Sequence, residues 1–80
     1  MAVLYVLNVP EFAPLVNYAE GAAELTVRDH GNYKKIETAS ELVIPRAKTG
    51  MDPAIWFGAL VGGFDGSIDE FSEDILKISA

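Results

Sequence analysis

The sequence predicts an α+β domain, a small mixed or antiparallel sheet of three to four strands covered by three short helices and ending in a helical hairpin. Three observations predict it. The chain opens on the strand-like run Val3 to Val9, its middle holds short alternating segments joined by turn residues, and its last third holds two helix-start signals. At 80 residues, half of them apolar, one compact domain over 1–80 is expected, near the size at which a single core is marginal.

Val3 to Val9 is rich in β-branched and aromatic residues and stops at Pro10, so a central strand over 3–9 is expected. Pro10 and Pro14 bracket the start of a helix over 12–20 through Phe12, Leu15, Val16 and Ala19, stopped at Gly21. Leu25 and Val27 alternate with Glu24, Thr26 and Arg28, and Asp29-His30-Gly31-Asn32 is turn chemistry leading into Tyr33-Lys34-Lys35-Ile36-Glu37. That pattern predicts a hairpin of strands 24–29 and 33–37 with His30 near its tip. Glu41-Leu42-Val43-Ile44-Pro45 gives a further short strand over 41–45.

From Pro53 to Phe64 the chain holds no charged or polar side chain apart from the Trp56 indole N–H. Asp52 suits an N-cap, Pro53 the first helical position, and Gly62-Gly63 a stop, so a helix over 53–62 is expected. At 100° per residue, Trp56, Phe57, Leu60 and Val61 form a bulky face, while Ala54, Gly58, Ala59 and Gly62 form a nearly flat one. Each glycine lowers helix propensity by about 1 kcal/mol relative to Ala, which close packing on the domain's own sheet or on a second copy would offset. The run is too short to cross a membrane, which takes about 18–20 apolar residues.

Ser67-Ile68-Asp69-Glu70 has the spacing of a capping box, and Ile68, Phe71, Ile75 and Ile78 fall on one helical stripe. A third helix over 67–78 follows, with Glu73 and Lys77 at i and i+4, and it forms the hairpin with the helix before it.

The chemistry these residues carry is sparse. There is no cysteine and a single histidine, so neither a disulfide nor a zinc site within one copy is expected, and no cofactor is implied. Asp65-Gly66-Ser67-Ile68-Asp69 echoes a calcium loop, but Val61, Gly63 and Ser72 would then stand at its first, third and twelfth positions, and the match fails. No serine lies in a G-x-S-x-G turn, and Lys48-Thr49-Gly50 lacks the earlier glycine of a phosphate loop.

The formal net charge of −6 argues against nucleic acid as a partner. The bases are concentrated in residues 28–48, with acidic segments on both sides. With no cysteine and no basic segment before the apolar N-terminus, a cytoplasmic location is expected.

The favoured function is a non-enzymatic accessory or interaction module that associates with a second copy, or with a different protein, through the apolar helix around Trp56, Gly58 and Gly62. The alternative is a small-molecule-binding protein or minimal enzyme in which His30 serves as acid or base beside an aromatic pocket. Pathway, ligand and partner identity lie outside what the residues encode.

Overall fold

The computed structural model describes residues 1–80 and corrects the expected plan. The chain forms seven strands in two antiparallel sheets, with only short helices, rather than one sheet under three helices. The first sheet has the order β2-β3-β1-β5, from β1 (Ala2–Leu7), β2 (Thr26–His30), β3 (Tyr33–Thr38) and β5 (Phe64–Asp65). The second has the order β4-β7-β6, from β4 (Leu42–Pro45), β6 (Ser67–Phe71) and β7 (Ile75–Ser79).

β1 is central because its apolar residues are consumed on both faces. Ala2, Leu4 and Val6 point into the core, while Val3 is covered between Glu37 on one neighbour and Asp65 on the other. The β2–β3 hairpin closes through Gly31-Asn32, and His30 pairs with Tyr33 at its end. After β1, Pro10–Phe12 makes one 3-10 turn that leads into α1 (Ala13–Gly21), which buries Leu15, Val16 and Ala19. A single core cluster unites these with Ile36 of the first sheet, Leu42, Ile44, Leu76 and Ile78 of the second, and Met51, Trp56 and Ala59 of the segment that joins them.

The expected helix over 53–62 is cut to one turn, α3 (Pro53–Trp56), which follows the equally short α2 (Arg46–Thr49). Asp52 caps α3 as expected, its carboxylate accepting the Ala54 N–H at 2.8 Å. Beyond Trp56 the chain tightens into successive turns in which Gly58 donates to the Ile55 carbonyl, Val61 to Gly58 and Gly63 to Leu60. The reason is tertiary. A Cβ on Gly62 would stand 2.2 Å from the Tyr5 carbonyl oxygen, and the Gly63 carbonyl accepts the Tyr5 N–H at 3.0 Å. Pairing with β1 outweighs a helix that two glycines already weaken.

The expected helix over 67–78 is a β-hairpin, so the helical hairpin is absent as well. Ile68 stands opposite Ile78, and Phe71 opposite Leu76, so a spacing that fits a helical stripe also fits cross-strand pairs about a turn. Ser72 makes that turn. Its hydroxyl accepts the N–H groups of Asp74 and Ile75, and its own N–H donates to the Ile75 carbonyl. Lys77 meets Glu70 across the strands at 3.9 Å rather than Glu73 along a helix. Gly66, at φ +119°, is the corner where the chain leaves the first sheet for the second.

Candidate interaction site

An apolar cleft opens where the end of β1 meets α3. Leu7 closes β1, and Val9 follows, its N–H donating to the Leu7 carbonyl at 2.9 Å, which folds the chain sharply toward Pro10. The 3-10 turn then presents Glu11 and Phe12. From the other side come Ala54 and Ile55 of α3 and Gly58 of the turn after it. Together these residues line an open cleft of about 390 Å³.

Gly58 keeps the cleft open. A Cβ there would lie 3.6 Å from the Phe12 ring and 3.3 Å from the Ile55 carbonyl, so a longer side chain would occupy the space. Leu7 and Ile55 are each more than a third exposed. Phe57 and Val61, later in the same segment, are also exposed, Val61 at 87%, with the Phe57 ring 5.5 Å from that of Phe71. Glu11 is the one charged residue in the lining, and no Lys, Arg or His of the chain pairs with it.

The four residues singled out in the sequence fall in different surroundings. Trp56 is fully buried, its ring 5.9 Å from that of Phe71, and its indole N–H donates to the Ser72 carbonyl at 2.7 Å. It fastens α3 to the β6–β7 turn and lies outside the cleft lining. Gly62 packs on the backbone of β1, whereas Gly58 faces the cleft. Adjacent members of the expected flat face therefore serve different contacts.

His30 lies on the outer face of the first sheet, its ring 5.2 Å from that of Tyr5, and it is not part of the cleft lining. On that face Glu37 is held between Arg28 at 2.9 Å and Lys35 at 3.8 Å. On the hairpin, Asp29 accepts a hydrogen bond from the Lys34 ammonium, which holds Lys34 above the ordinary lysine pKa. No group of three His, Cys, Asp or Glu side chains converges in a way that would hold a metal ion.

Sequence reading missed Leu7, Val9, Glu11 and Phe12 as site residues. The signal available was Glu11 itself, the only charged side chain in the first 19 residues. A single acid in so apolar a stretch marks the point where the chain meets solvent.

The sequence matches no protein-family profile, and no curated protein sequence matches it. Among solved structures, the chain is similar to one chain of a phenol hydroxylase–regulatory protein complex, with a TM-score of 0.76. The match covers 99% of this chain and 97% of that one at 17% identity. The likeness is therefore one of fold, over the whole length of both chains. No helix of the present chain is long and apolar enough to cross a membrane.

Proposed function

We propose that this protein is a small accessory regulatory protein that acts by docking on an enzyme, and that the enzyme is a hydroxylase of the phenol hydroxylase kind. The observation that carries the reading is the correspondence of fold, over 99% of this chain and 97% of the other, with one chain of a phenol hydroxylase–regulatory protein complex, which the reading takes to be the regulatory component. The reading assigns the chemistry to the partner.

The exposed Leu7 and Ile55 side chains, gathered at one cleft, support a protein partner, since apolar side chains clustered at a surface gain most from being covered. A different protein is favoured over a second copy. Self-association through both glycines is weakened because Gly62 is already spent on the Tyr5 carbonyl. The His30 reading draws no support from the cleft, whose lining excludes that residue.

The test is reconstitution with the phenol hydroxylase of the same organism. The chain is expected to comigrate with the hydroxylase in sedimentation and to change its rate of phenol hydroxylation, and His30→Ala is expected to preserve both effects. The absence of both comigration and a rate change at saturating chain would overturn the reading.

A further inference from the structure

The cleft between the end of β1 and α3 has a charge pattern that defines what it accepts. We propose that it seats one apolar side chain of the partner enzyme, presented on a basic segment whose Lys or Arg pairs with Glu11. The proposal rests on the regulatory reading above and names the contact within it.

Shape supplies the first argument. The cleft, of about 390 Å³, has the size of sites that accept compact organic groups, about 300–1,000 Å³. Its walls are Leu7, Val9, Phe12, Ala54 and Ile55, and Gly58 leaves its floor unfilled. An apolar anchor in such a pocket, ringed by polar contacts, is the arrangement in which interface energy concentrates.

Charge supplies the second. The chain has six bases against twelve acids, and it uses nearly all the bases internally. Arg28 and Lys35 meet Glu37, Lys34 meets Asp29, and Lys77 meets Glu70. Arg46 is committed to the carbonyls of Glu73 and Met51. What remains facing outward is overwhelmingly negative, and Glu11 stands unpaired in the cleft lining, to which α3, capped by Asp52, contributes Ala54 and Ile55.

A carboxylate beside an apolar surface loses hydration when that surface is covered, so the covering segment must bring hydrogen-bond donors, and a cation supplies the strongest of them. A second copy is a poor occupant. In a twofold contact the same patch meets itself, setting Glu11 against a surface with the same unpaired acids, and like charges brought together this way disfavour association.

The experiment is a calorimetric titration of the chain into the intact hydroxylase at low and high salt. It compares the wild type with Glu11→Lys, Ile55→Glu and Glu41→Lys. Glu41 is an exposed acid outside the cleft, so its reversal alters net charge equally without touching the site.

Glu11→Lys and Ile55→Glu are expected to raise Kd by about tenfold or more, as loss of a central contact does. Glu11→Lys should also flatten the salt dependence, while Glu41→Lys stays within about twofold of wild type, as a charge outside the contact does. Circular dichroism checks that each variant is folded, and both cleft side chains are exposed enough to be replaced.

Unchanged affinity of both cleft variants, with wild type binding, would overturn the cleft assignment and leave the regulatory reading standing. Failure of the wild type to bind would remove both. A dimer of the chain alone that Ile55→Glu dissolves would assign the cleft to a second copy, and saturable shifts of the Phe12 and Ile55 amide signals by phenol alone would assign it to a small molecule. Either result overturns the proposal.

Discussion

Gly62 shows how much structure can hang on one missing side chain. Its role is close approach, since a Cβ would sit 2.2 Å from the Tyr5 carbonyl oxygen and 3.0 Å from the Tyr33 ring. The nearer obstacle is backbone, which cannot rotate away. Gly62→Ala must therefore push the 57–64 segment off β1, and overpacking of this kind costs about 1–3 kcal/mol. Thermal unfolding should register it as a loss of about 4–8 °C per kcal/mol in a domain of this size. Gly58→Ala meets its nearest backbone atom at 3.3 Å, so it should cost less and act mainly on the cleft. Lys34 offers a test of electrostatics on the β2–β3 hairpin. Its pKa is raised chiefly by the hydrogen bond to Asp29, and a raised folded value means that the pair stabilises the fold fully below the ordinary lysine value. That contribution disappears as pH climbs through the folded value. Heteronuclear NMR titration should show the Lys34 side chain titrating above free lysine, and Asp29→Asn should lower it. Titration at the same pH in both proteins would show that the pair contributes nothing.

At the scale of elements, the β6–β7 hairpin separates the two readings of the last segment. A capping box makes Ser67 important and Ser72 incidental, whereas the hairpin reverses those roles. Ser72→Ala removes the acceptor for the Asp74 and Ile75 N–H groups and should cost about 1 kcal/mol. Ser67→Ala, at an exposed position that caps nothing, should stay within about 0.5 kcal/mol. Urea denaturation of the two variants measures the contrast, and a larger loss at Ser67 would restore the helical reading. The same segment shows why local pattern misled. Ile68, Phe71, Ile75 and Ile78 recur at spacings of three and four, yet a turn at Ser72–Asp74 pairs Ile68 with Ile78 and Phe71 with Leu76, and Ile75 meets Pro45 of β4. The alternation Leu76-Lys77-Ile78-Ser79 was the competing signal, and Leu76 and Ile78 are buried. Where turn chemistry and alternation agreed, as from Thr26 to Glu37, the hairpin was legible in advance. The apolar run after Pro53 was legible as a cap and a stop, but its length depended on pairing with β1, a contact more than fifty residues away that no local window contains. Half of the cleft was hidden for the same reason: Ile55 and Gly58 belonged to a segment marked as unusual, while Leu7 to Phe12 join them only through the fold.

For the molecule as a whole, the two sheets have one core between them, and Trp56 lies at their junction. It is fully buried, it belongs to the cluster that includes Leu4 and Ile36 of one sheet and Leu42, Leu76 and Ile78 of the other, and its indole N–H holds the Ser72 carbonyl. Neither sheet has a second apolar layer of its own, so opening either one exposes the residues that stabilise the other. Unfolding should therefore be a single cooperative step, as it is for most domains under about 150 residues. As the only tryptophan, Trp56 reports that step directly. In urea, its fluorescence and the far-ultraviolet circular dichroism should give coincident transitions, and transitions that separate would mean that one sheet survives alone. Trp56→Phe retains most of the apolar contact while leaving the Ser72 carbonyl without its donor, a loss of about 1–3 kcal/mol if that oxygen stays buried. Because the hydrogen bond spans α3 and the β6–β7 turn, the loss should lower the midpoint for both sheets together, with the slope of the transition unchanged. The cleft is positioned by this same fastening: α3 carries Ile55 outward on one side because Trp56 is locked inward on the other. Trp56→Phe should thus weaken partner binding less than Ile55→Glu does while lowering stability more, a crossover that distinguishes the residue holding the surface from the residue forming it.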